Sequence, residues 1–195
     1  MSITINGNGT ITGYEPVANG SITAAKLATG VGGKTLQVVQ VIKKDVQNVA
    51  GTSMADVTNF NPSITPTGTG SKILLDINLQ GAGNSGALNL FRSIGGGSYS
   101  QLTDYIGDQH PNSSNAMRTV ASPGNSPNAF ATFAIKILDN PTYSSGQAIA
   151  YKIQVGSPYH STYVFNINRM QYLHNSSYDK TVISTFTLTE IAAWV

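Results

Sequence analysis

"ATGVGGKTLQVVQV", residues 28–41, separates two fold classes. Ala28 to Thr35 satisfies the loose phosphate-loop pattern: a small residue, four of any kind, then Gly-Lys-Thr. That loop works only between a strand and a helix whose N-terminal N–H groups face the phosphates. The flanks here are reversed. Ala24-Ala25-Lys26-Leu27-Ala28, with Ser21 or Thr23 placed to cap it, predicts a brief helix before the loop. After it, Leu36-Gln37-Val38-Val39-Gln40-Val41-Ile42 is β-branched and mostly apolar, the composition of a strand. We therefore read Gly30, Gly32 and Gly33 as a flexible joint in front of a β domain, with no nucleotide bound there.

Downstream of the joint the strand pattern repeats. In residues 72–79 Leu75, Ile77 and Leu79 share one face, and Asp76, Asn78 and Gln80 lie on the other. Further strands are expected over 87–94, 99–106, 129–138, 148–155, 163–168 and 181–191, the last alternating through Val182, Ser184, Phe186 and Leu188. Pro62, Pro66, Gly95-Gly96-Gly97, Pro123-Gly124, Pro141 and Pro158 punctuate them. No useful helical periodicity follows residue 33. About eight short strands with polar turns predict an all-β antiparallel sandwich or jelly roll.

Upstream, residues 1–33 form a different segment. Glu15 and Lys26 are its only charges, and Ile3-Thr4-Ile5 and Thr10-Ile11-Thr12 are two short β-type pieces between glycine-rich turns. The helical candidate at residues 24–28 is too short to stand alone, so this arm needs a neighbour. The expected organisation is an arm over 1–33 and a sandwich over 34–195.

Composition excludes several classes. The 195 residues suffice for one domain with a real core. Only 10% are charged, against a usual ~25%, so the surface is hydroxyl and amide. The formal charge of +2 comes from 11 basic and 9 acidic residues with no basic cluster, which argues against a nucleic-acid partner. Cysteine is absent, which removes disulfides and thiolate metal sites. The start, MSITINGNGTITG, lacks the charged and apolar regions of a signal peptide. No apolar run approaches the ~18 residues of a membrane span. Folding in a cytoplasm, without membrane insertion, is the expectation.

Chemistry-bearing residues are sparse. His110, His160 and His174 each lie beside turn-formers, with no metal-ligand spacing and no strained Gly-x-Ser-x-Gly turn. Asp104 and Asp108 belong to one loop and make no persuasive glycosidase pair. No catalytic residue, metal or cofactor is expected, and the chain is read as a non-enzyme. Tyr99, Tyr105, Tyr143, Tyr159, Tyr163, Tyr172 and Tyr178 cluster at strand ends and in loops, where tyrosine either closes a sandwich or offers a rigid, half-polar contact. The Asn-Ser-Ser sequons at Asn112 and Asn175 carry no meaning without secretion.

Asn19-Gly20-Ser21-Ile22-Thr23-Ala24-Ala25-Lys26-Leu27-Ala28 resembles an element common in phage tail-fibre proteins. GGKTLQVVQ, PSITPTGTGSKILLDI, ILDNPTYSSGQAIAYKIQV and TVISTFTLTEI follow in an order similar to the small β domain at the tips of marine-phage fibres and virion-surface proteins. The resemblance implies a homotrimeric virion structural protein with a C1q- or TNF-like jelly-roll tip. It also implies docking to a tail adaptor, nozzle, baseplate or capsid protein through the arm. Ile3, Ile5, Ile11, Tyr14, Ile22 and Leu27 are then the attachment candidates. Contacts to a host polysaccharide or surface protein are expected from Tyr105, His110 and Asn112, from Tyr159 and His160, and from Tyr172, His174 and Tyr178. A capsid decoration or head-fibre knob is the alternative, and a carbohydrate-active β-sandwich enzyme the third reading. Residues 101–128 match no part of the family pattern.

Overall fold

A computed structural model describes residues 4–5, 11–12, 35–83, 86–106, 130–156, 161–170 and 181–193. The contacts divide the chain into two units, one holding Met1–Lys34 and the other Thr35–Trp194. In the first, β1 (Thr4–Ile5) pairs antiparallel with β2 (Ile11–Thr12), bringing Ile5 opposite Ile11. The expected helix at residues 24–28 lies outside the described residues, as do Ile3, Tyr14, Ile22 and Leu27.

The second unit is an antiparallel β-sandwich. Its first sheet contains β3 (Thr35–Lys43), β4 (Gln47–Ala50), β7 (Lys72–Ala82), β10 (Ala131–Asp139), β12 (Val164–Ile167) and β13 (Ser184–Ile191). β7 is the central strand, with β10 along one edge and β13 and β12 sharing the other; β3 then pairs with β13 and β4 with β12. The second sheet contains β5 (Ala55–Asp56), β6 (Ser63–Ile64), β8 (Ala87–Ile94), β9 (Ser100–Gln101) and β11 (Ile149–Gly156), with β11 between β8 and the short strands β5 and β6. The chain alternates between the sheets, running β3–β4, β5–β6, β7, β8–β9, β10, β11 and β12–β13, which is a jelly-roll path.

Alternation positions the core. Ile73, Leu75, Ile77 and Leu79 of β7 and Phe186 and Leu188 of β13 are fully buried against Leu88 and Leu90 of β8 and Tyr151, Ile153 and Val155 of β11. Phe60 packs on Phe186 with ring centroids 5.7 Å apart, and Phe133 meets Phe165 edge-on at 5.3 Å. Thr35 opens β3, so a strand follows the Gly-Lys-Thr triplet where nucleotide binding requires a helix.

One strand expectation is corrected. Residues 99–106 keep only Ser100–Gln101 as strand; Thr103–Tyr105 turn into a single 3-10 turn. Asp104 disfavours a strand and favours a turn, and the turn carries the Tyr105 hydroxyl to the Leu138 carbonyl at 3.1 Å. The strands β4, β5 and β6 carry no strong sequence signal and appear only in the fold.

Candidate functional site

A candidate site among the described residues lies where an edge strand is interrupted. Asp56 stands opposite Gln154, and Ser63 opposite Ala150, so seven steps of edge strand run against four on β11. The excess bulges out as residues 57–61. Val57 and Phe60 turn inward and are buried, while Thr58, Asn59 and Asn61 are exposed. Asn59 has φ 55°, a left-handed conformation that asparagine tolerates better than most residues.

The bulge is held at several points. Val57 N–H donates to the Ile153 carbonyl at 3.0 Å, and the Pro62 carbonyl accepts from Tyr151 N–H at 3.0 Å. The Gln47 amide acts as a surrogate strand, donating from Nε2 to the Asp56 carbonyl at 2.8 Å and accepting from Thr58 N–H at 2.9 Å. From behind, the ammonium of Lys43, whose side chain is fully buried, donates to the Thr58 carbonyl at 2.9 Å and to Asp45 Oδ2 at 2.6 Å. A buried ammonium is tolerable because acceptors surround it. It holds the Asp45 carboxyl below the usual aspartate range. Loop residues held this way are preorganised, with little ordering left to occur on binding.

A pocket of about 370 Å³ opens beside the bulge, lined by Asp56, Thr58, Asn59, Asn61, Tyr99 and Lys152. Lys152 Nζ donates to Asp56 Oδ2 at 2.8 Å and sits 4.8 Å from the Tyr99 ring centroid and 5.5 Å from that of Phe91. Gln154 Nε2 donates to the other carboxylate oxygen at 2.8 Å. The Lys152 hydrogen bond, followed against burial by that from Gln154, lowers the Asp56 pKa. The carboxylate therefore stays ionised at neutral pH and is poorly suited to act as a general acid.

Of the sequence-predicted contact residues, Tyr105 is described. Its ring packs on the core, and its hydroxyl reaches the Leu138 carbonyl and, at 3.4 Å, Asp139 Oδ1. Burial, then the Asp139 charge, push the Tyr105 phenol up. Tyr143 is also a tether: its hydroxyl donates to the Gly68 carbonyl at 2.6 Å and accepts from Ser71 N–H at 2.9 Å. His110, Asn112, Tyr159, His160, Tyr172, His174 and Tyr178 lie outside the described residues. The pocket itself escaped sequence reading apart from Tyr99. Its one local signal was Thr58-Asn59-Phe60-Asn61-Pro62, a turn-rich run that exposes two amides.

The chain matches no known protein family and no curated protein.

Proposed function

We propose that the protein is a non-enzymatic structural component of a phage virion, a short homotrimeric tail fibre or fibre tip whose jelly roll meets the host surface. The resemblance of its ordered motifs to phage fibre tips supports this reading. The observation that carries it is the outer face of the first sheet. Val38 of β3 pairs with Thr189 of β13, Thr189 with Leu74 of β7, and Leu74 with Leu138 of β10, giving one apolar row across four strands. Leu36, Val38, Ile42 and Leu138 are 42–58% exposed. Lys136 and Asp76, paired at 2.9 Å, are the charges opposed across this face at the next row. The polar side chains beside this row, Gln40 with Thr187 and Gln80 with Asn78 and Thr132, hydrogen-bond to one another, so the face can be covered by another copy without leaving them unpartnered.

A second and third copy of the chain are the occupants we assign to this face. Trimerisation there leaves the opposite sheet, with the pocket beside Asp56, free to face outward. Weak contacts repeated on three tips would gain avidity of ~10²–10⁴ over a single site. The arm, residues 1–33, supplies the docking segment to the virion, and assembly takes place in the host cytoplasm. Mass photometry should find a trimer in wild type, and Val38→Glu with Leu138→Glu should yield a folded monomer. A wild-type monomer at micromolar concentration would remove the trimeric reading. Gold labelling of the chain on the capsid instead of the tail would favour the head-fibre alternative.

A further inference from the structure

From the pocket's chemistry we infer that it binds a neutral sugar, a terminal hexopyranose with adjacent free hydroxyls. This deepens the recognition reading above and rests on it for its biological meaning, though not for its test. Four observations converge on that ligand class.

Charge comes first. Lys152 and Asp56 neutralise each other at 2.8 Å, and the ammonium is further covered by the rings of Phe91 and Tyr99. Neither charge is left to attract an anionic or cationic ligand, so the pocket offers polarity without net charge.

The available hydrogen-bonding groups come second. Asn59 and Asn61 are exposed, and their side-chain amides make no hydrogen bond within the described residues. Each offers two N–H donors and a carbonyl acceptor. Asp56 is about half exposed. Each of its oxygens is already engaged once, by Lys152 and by Gln154, which leaves lone pairs facing the pocket. A sugar hydroxyl can donate to the carboxylate while accepting from an amide N–H, and neighbouring hydroxyls on one ring can do so together. A peptide backbone presents one donor and one acceptor at a wider repeat and matches this cluster less well.

Third is the apolar wall. Tyr99 is half-buried and fixed by Lys152, so it offers a rigid ring edge or face to the C–H side of a pyranose. Fourth is size and rigidity. About 370 Å³ is near the low end of the ~300–1,000 Å³ typical of small-ligand pockets, room for a terminal sugar and its linkage. The left-handed Asn59 sits at the pocket rim, in a loop pinned by Gln47 and by the buried Lys43.

The test uses the full chain, isotopically labelled, titrated in separate NMR experiments with the methyl glycosides of glucose, galactose, mannose and N-acetylglucosamine. Methyl sialoside and an extended polar peptide serve as charged and non-sugar comparisons. At least one neutral glycoside should shift the amide signals of residues 56–61, Tyr99 and Lys152 at millimolar concentration, and sialoside should bind at least tenfold more weakly. Asn59→Gly keeps the left-handed backbone and Asn61→Ala truncates an exposed side chain, so folding persists in both. Each should weaken the neutral glycoside at least tenfold. No shift with any neutral glycoside, an equal or greater affinity for sialoside or peptide, or unchanged binding in both variants would each overturn the inference. A parallel host-adsorption assay separates the two readings. Adsorption that the chain blocks without any sugar binding removes this inference and leaves recognition standing. Sugar binding by a chain that never affects adsorption supports the inference and removes host recognition.

Discussion

Removing the Asp139 carboxylate should weaken the sandwich more than most single side-chain deletions at its surface. Asp139 ends β10 in the first sheet and is only 2% exposed. Arg92 of β8 reaches both its oxygens from Nη1 at 2.7 Å, and the buried Tyr151 of β11 donates its hydroxyl to Oδ2 at 2.7 Å. Both donors belong to the second sheet, so this carboxylate clasps the two layers together in a chain without disulfides. In Asp139→Ala the guanidinium loses its partner and the Tyr151 hydroxyl loses its acceptor inside the core. Breaking a buried ion pair by removing one member costs ~3–5 kcal/mol. Arg92 keeps about a quarter of its side chain in solvent and can turn towards water, so the lower end applies, about 3 kcal/mol. For a domain of this size that lowers Tm by roughly 6–12 °C, at ~2–4 °C per kcal/mol. Tyr151→Phe leaves the Arg92 pair intact and should cost about 1.5–3 kcal/mol, the worth of one charge-assisted hydrogen bond. Once the Tyr151 hydroxyl is gone, deleting Asp139 orphans Arg92 alone, since the Tyr105 hydroxyl keeps the Leu138 carbonyl, so the double variant should fall short of the sum of the two. Urea unfolding of the four proteins measures each cost. A loss below about 1 kcal/mol in Asp139→Ala, or additivity within the ~0.3–0.5 kcal/mol expected of independent sites, would refute the clasp.

Glu190 is fully buried, yet its pKa is lowered: burial pushes it up, but hydrogen bonds from Gln37 and from the Gly68 and Thr67 N–H groups outweigh that. A depressed folded-state pKa stabilises the fold above the ordinary value of 4.5 and loses that contribution as pH falls through the folded value. Thermal melts should therefore be nearly flat with respect to this group above about pH 5 and decline below it, and Glu190→Gln should flatten that decline while costing about 1.5–3 kcal/mol at neutral pH. Gly81→Ala should cost about 1–3 kcal/mol by overpacking, because a Cβ there runs into the Phe165 ring; Phe165→Leu in the same chain should recover part of the loss in urea melts. Calorimetry with ATP and magnesium should show no binding that depends on Lys34, since Thr35 enters a strand; micromolar binding abolished by Lys34→Ala would reverse that conclusion.

What the sequence determined by itself was whatever alternates locally. Leu75, Ile77 and Leu79 face the core and Asp76, Asn78 and Gln80 face away because a strand turns successive side chains to opposite sides. Ala87–Ile94 was legible to the residue, and β3 to within one residue at each end, Leu36–Ile42 against the observed Thr35–Lys43. Strands two residues long, such as Ala55–Asp56 and Ser63–Ile64, are too short to show a period, and they exist only because β11 offers its edge. The buried charges were equally hidden. Nothing local marks Lys43, Asp139 and Glu190 as buried; they become so when partners from Thr58, Arg92, Tyr151 and residues 67–68 converge on them. The pocket joins Asp56 and Asn59 to Tyr99 and Lys152, residues tens of positions apart that periodicity cannot relate. Alternation is a property of neighbours along the chain, whereas charge pairing and a binding cavity arise only after distant strands have been brought side by side.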